Sequence, residues 1–161
     1  MPGRRVIYWD ACVFISILKG EYSDVVKARI AELDRQHLRG DIVLMTSALT
    51  RVEVFENQSP KKAIDAYRRL RERATFQEVA VDPKVADRAR LLRETLEGGG
   101  RSAGLPKLTT PDAIHLATAL LYEADELHTD EKALASFSKH PEICPRLLVC
   151  PPRSNQDTLL S

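Results

Sequence analysis

The residues of this 161-residue chain best able to do chemistry are carboxylates placed at the ends of apolar runs. Asp10 ends the run Val6-Ile7-Tyr8-Trp9. Glu53 lies in "TSALTRVEVFE", just after Ile42-Val43-Leu44-Met45. Asp112 opens "TTPDAIHLATALL", and Asp130 with Glu131 follows Glu126-Leu127-His128-Thr129. Each acid sits in a segment expected to be buried, where a charge is costly unless a cation or hydrogen bonds compensate it. A hard divalent cation is the simplest compensation, and it points to phosphate chemistry. Mg²⁺ and Mn²⁺ favour oxygen ligands. One such ion activates water, and a second roughly 4 Å away stabilises the leaving oxygen of an in-line displacement.

The elements that must position these acids alternate between short β-like runs and helical stretches. Strands are expected at 6–9, 42–46, 76–81, 127–129 and 147–150. Helices are expected at about 10–19, 23–38, 47–57, from Ser59-Pro60 through Leu70, from Asp82-Pro83 to the glycines at 98–100, at 110–124 and at 131–138. Gly20 and Gly40 are read as stops, and Ser23 as an N-cap. The pattern implies a three-layer α/β/α sandwich with a mostly parallel central sheet. In such a sheet ligands collect at the carboxyl ends of the strands, and four separate segments aim acids at that edge. Ser47, Thr110 and Thr129 stand close to the acids in sequence and are candidates to orient them. Residues 1–150 are expected to form one domain, with 98–109 as a mobile loop and 151–161 as a polar tail.

Composition narrows the class. Apolar residues make up 43% and charged residues 29%, with a net charge of +1. No apolar run approaches the roughly 20 residues that span a bilayer. The N-terminus reads as a first strand and not as a signal peptide. Cys12, Cys144 and Cys150 have no metal-ligand spacing and are expected to be reduced thiols in a cytoplasmic protein. Basic residues concentrate at 61–73 and 84–93, with local net charges of +4 and +3. Arg68, Arg69, Arg73 and Arg88 are therefore candidates to contact a polyanion.

Taken together, "YWDACVFI", "TSALTRVEVFE", "TPDAIHLATAL" and "ELHTDEKAL" resemble the PIN domain, particularly the single-domain VapC-type toxin ribonucleases. The resemblance runs from about residue 5 to 150, with the motifs in order and at matching spacing. It implies that Asp10, Glu53 and Asp112 bind metal, and that Asp130 or Glu131 is the fourth acid, with Asp130 favoured. It implies an Mg²⁺- or Mn²⁺-dependent endoribonuclease, the toxin of a type II toxin–antitoxin pair. Its expected partners are RNA, a small antitoxin and a second copy of the chain. The sequence departs from the family in two places. The aspartate follows Thr129 directly, where relatives carry the acid one residue later. Ala11-Cys12 replaces a frequent threonine–asparagine pair, so a hydroxyl and an amide are missing beside Asp10.

Other readings compete. His115 is three residues after Asp112, and packing or hydrogen bonding within its helix is the expectation over general-base catalysis. Trp9 is expected in the core, turned opposite to Tyr8. An aspartyl-phosphate phosphatase needs an aspartate where Cys12 stands. A nuclease acting on another nucleic acid, and a non-catalytic RNA-binding module, remain as alternatives.

Overall fold

The computed structural model describes residues 3–55, 61–98, 107–140, 143–144 and 146–153. The Ser59-Pro60 helix start, most of the glycine-containing loop and the tail from residue 154 lie outside the described residues. The chain runs β1 (Arg5–Trp9), α1 (Ala11–Lys19), α2 (Asp24–Arg39), β2 (Ile42–Ser47), α3 (Leu49–Phe55) and α4 (Lys61–Arg71). It continues through β3 (Phe76–Val79), α5 (Pro83–Gly98), α6 (Thr110–Leu121), β4 (Glu126–His128), α7 (Lys132–Ala135), a 3₁₀ turn (Ser136–Lys139) and β5 (Leu148–Cys150).

The strands form one sheet in the order β3-β2-β1-β4-β5, and every pairing is parallel. Strands covered on both faces need apolar side chains in both directions, which is why β1 and β2 read as near-continuous runs. Alternation sends Tyr8, Met45, Leu127 and Val149 into a core with α5 and α6. It sends Ile7, Trp9, Ile42, Leu44 and Phe76 into a second core with residues of α1, α2 and α4. Trp9 is buried there, opposite to Tyr8 as expected.

Local chemistry sets the helix ends. Asp10 caps α1 by accepting from Val13 N–H, and Ser23 caps α2. Gly20 and Gly40 close those helices at φ of 65° and 76°, a left-handed conformation that favours glycine. The expected strand at 76–81 ends at Val79, and the expected helix at 131–138 breaks into α7 and the 3₁₀ turn.

Connections from β1 lead first towards β2 and β3, then to β4 and β5 on the other side. The switch therefore falls between β1 and β4, the place where ligands bind at the carboxyl ends of the strands in open α/β sheets. Asp10 follows β1 and Thr129 follows β4 at that edge, and the two chains meet where Asp10 N–H donates to His128 O at 3.3 Å. Among the described residues no helix is long and apolar enough to cross a membrane.

Candidate functional site

The buried neighbours fix what Asp10 can do. Its Oδ1 accepts from Val13 N–H at 3.2 Å and from the Cys12 thiol at 2.8 Å. Burial pushes the Asp10 carboxyl up from its ordinary range, and hydrogen bonds from Cys12, Thr129 and Val13 only partly oppose that. A buried carboxylate whose protein partners leave it under-compensated is suited to a cation.

Glu53 belongs to a relay that crosses the first core. His115 Nε2 lies 2.7 Å from Glu53 Oε2, and His115 Nδ1 lies 2.7 Å from the Tyr8 hydroxyl. A carboxylate only accepts, so Nε2–H donates to Glu53 and Nδ1 accepts the Tyr8 proton. Burial raises the Tyr8 pKa well above its ordinary value, and the charges of Asp10 and Glu53 add to that. The same hydroxyl therefore senses both acids. His115 is buried, as expected, but its partners come from β1 and α3 and not from its own helix.

Asp112 stands one turn before His115 on the same side of α6. Its Oδ2 accepts from the Thr109 hydroxyl at 2.6 Å, and its N–H donates back to Thr109 Oγ1 at 3.3 Å. Thr109 is the N-cap, so it orients Asp112. Thr110, the candidate from sequence, instead accepts from Arg93 at 3.0 Å. Ser47 is buried, and its hydroxyl accepts from Leu49 N–H at the start of α3. Thr129 is the expected neighbour of the site: its hydroxyl lies 3.5 Å from Cys12 Sγ and accepts from Glu131 N–H at 3.0 Å.

The Asp130 carboxylate accepts from the Tyr22 hydroxyl and from Ser16 Oγ, the latter at 3.2 Å. Ser16 is about 9 Å along α1 from Asp10 at 1.5 Å per residue. Asp130 therefore leans along α1, away from the Asp10 carboxylate. Glu131 is exposed and makes no side-chain cap to α7.

Among the described residues, Glu126, His128 and Cys150 are the only His, Cys, Asp or Glu trio whose ligand atoms all lie within 4.8 Å of one another. The oxygens of Asp10, Glu53 and Asp112 do not close to that distance. Like charges repel, and Glu53 is drawn onto His115. The tight trio is already satisfied by protein. Arg5 and Arg153 both bond the Glu126 carboxylate, Trp9 Nε1–H donates to His128 Nδ1, and His128 Nε2–H donates to Glu126 at 2.8 Å. Two guanidinium charges beside these donors disfavour a further cation. The all-oxygen set around Asp10 is the better fit to Mg²⁺ or Mn²⁺.

The arginine candidates separate. Helix α4 packs in the second core and α5 in the first, on opposite faces of the sheet, so one flat strip of polyanion does not cross both. Arg73 is tied to Asp34 and to His37 at the sheet's amino edge. Arg68 pairs with Asp65 at 3.8 Å, and Arg88 is half-buried on α5. Arg69 lines a cavity of about 540 Å³ between α1, α2 and α4, together with Ser16 and Tyr22, which hold Asp130, and with the paired Arg73 and Asp34.

The family model of the PIN domain matches residues 7–139. The chain belongs to the PIN domain family. No curated protein matches it in sequence. Solved structures share its fold, among them two toxin–antitoxin assemblies. One is a toxin–antitoxin complex from Klebsiella pneumoniae, with a TM-score of 0.55 and 23% identity over 92% of this chain and 98% of that one. The other is VapBC2 from Rickettsia felis bound to a promoter DNA fragment, with a TM-score of 0.58 and 14% identity over 89% of this chain and 96% of that one. The PIN match spans Asp10, Glu53, Asp112, Asp130 and Glu131.

What sequence reasoning missed are the supports of these acids in this PIN domain: Tyr8, Ser16, Tyr22 and Thr109. Only Thr109 had a local signal, since a threonine three residues before an acid marks a reciprocal N-terminal cap.

Proposed function

We propose that this PIN domain is a divalent-metal-dependent endoribonuclease and the toxin of a toxin–antitoxin pair. PIN domains are nucleases, and the two structural neighbours are toxin–antitoxin assemblies, which supports a small antitoxin as partner. The observation that carries the reading is the buried, under-compensated Asp10 at the switch between β1 and β4; Glu53 is held by His115. Asp10, Glu53 and Asp112 would hold Mg²⁺ or Mn²⁺, and Asp130 or Glu131 would complete the set. The bound ion supplies Lewis-acid activation of water and stabilisation of the leaving oxygen.

The protein's own part is placement. The β1–α1 turn fixes Asp10, the relay from Tyr8 fixes Glu53, and the Thr109 cap fixes Asp112. Arg69, on the wall that leads to Asp130, contacts the RNA backbone. The chain works in the cytoplasm as a homodimer.

The test is cleavage of RNA by purified protein with Mg²⁺ and with EDTA. Wild type cuts only with the metal. Asp10→Asn and Asp112→Asn lose cleavage by at least about 10²-fold while unfolding at temperatures close to wild type, because charge and not volume is removed. Metal-dependent cutting by both variants at the wild-type rate refutes the assignment.

A further inference from the structure

Cys12 has no role in the reading above, yet its sulfur joins two segments of the site. The side chain leaves the first turn of α1 two residues after Asp10. Its thiol donates to Asp10 Oδ1 at 2.8 Å. The sulfur accepts from the backbone N–H of Asp130 at 3.2 Å and lies 3.5 Å from Thr129 Oγ1. Residues 10 and 130 follow different strands, β1 and β4, and this thiol touches both.

We propose that Cys12 is a positioning residue for the metal site, clamping the Asp10 carboxylate to the start of the Asp130–Glu131 segment. The inference rests on the metal-site reading above. A sulfur suits the post because its longer bonds and diffuse lone pairs let it donate to a carboxylate while accepting from an N–H on the other side. Its effect passes through two neighbours. Oδ1 of Asp10 is oriented by a donor that does not compete for the cation, and the backbone that carries Asp130 and Glu131 is anchored at its first residue. Cys12 acts as a hydrogen-bond bridge between the two segments.

Mn²⁺ binding by the full chain, followed through the electron paramagnetic resonance of the free ion, measures this directly for wild type, Cys12→Ala and Cys12→Ser. Loss of a residue that orients a ligand costs about 10–100-fold in metal affinity, and Cys12→Ala is expected to weaken Mn²⁺ by that factor. Cys12→Ser keeps a donor and an acceptor and recovers most of the loss. In the cleavage assay the Mg²⁺ concentration for half-maximal rate rises by the same factor in Cys12→Ala, with the rate at saturating Mg²⁺ near wild type. Unfolding temperatures in EDTA separate this from a packing defect, which Ser and Ala would share.

Wild-type Mn²⁺ affinity in Cys12→Ala overturns the proposal. So does equal weakening by Ala and Ser. A wild type that binds Mn²⁺ but cuts no RNA overturns the nuclease reading alone, and the affinity ratio still decides the role of Cys12. A wild type that binds no Mn²⁺ overturns both.

Discussion

His115 shows at the residue scale how much of the site depends on contacts remote in sequence. It joins Tyr8, 107 positions away, to Glu53, 62 positions away. No local pattern announces such a bridge, because a histidine three residues after an acid on a helix is equally compatible with a buried structural contact. The acids stood out as candidates in the sequence, since a charged residue closing an apolar run has few inexpensive explanations. Thr109, the hydroxyl that bonds Asp112, did not stand out in the sequence reading; it is the N-cap of α6. His115→Leu leaves Glu53 without its donor, and cleavage is expected to fall about 10–100-fold. His115→Gln, which keeps a donor towards Glu53, is expected to restore part of the rate. Equal rates for the two variants in a single-turnover cleavage assay remove the relay from the account.

At the scale of elements, the strands and most helix ends follow from period and punctuation. Gly40 is one such end: a Cβ there would meet Thr75 Cγ2 at an unstrained 3.8 Å. The cost of a side chain is therefore conformational. Gly40→Ala is expected to destabilise by about 1 kcal/mol, read as a lowered denaturant midpoint at unchanged slope. The pairing of β4 with its surroundings was not legible. Glu126 and His128 face the same side of a three-residue strand, where Arg5 and Arg153 reach them from distant parts of the chain.

Burial pushes the Glu126 carboxyl up, but hydrogen bonds from His128, Arg153 and Arg5 outweigh it and hold the pKa at about 2, against an ordinary 4.5. Folding thus favours the charged form, and between these values the unfolded chain binds the additional proton. The stabilisation is fully present above pH 4.5 and is lost as pH falls through about 2. Glu126→Gln is expected to be destabilised at pH 7, with the gap to wild type closing in acid. A gap that stays constant down to pH 2 contradicts this account.

At the scale of the whole molecule, the basic segments 61–73 and 84–93 mark candidate arginines for a polyanion. The fold divides them between opposite faces and spends Arg73 on Asp34 and His37. A charge count along the chain cannot show which side of a sheet a helix will cover. RNA affinity measured against salt distinguishes the arginines. Arg69→Ala is expected to weaken binding and reduce the salt slope by about 1. Arg73→Ala lowers stability and leaves the slope unchanged. The reverse pattern would move the RNA path to the amino edge of the sheet.

The proposed nuclease stands on an ion drawing together acids that come from the β1–α1 turn, α3 and α6. X-ray diffraction from Mn²⁺-soaked crystals, recorded at the manganese absorption edge, locates that ion directly. The expected result is an anomalous peak among the carboxylates of Asp10, Glu53 and Asp112, absent in Asp10→Asn. A peak confined to Glu126, His128 and Cys150, or no peak at saturating Mn²⁺, contradicts the metal centre and the nuclease built on it.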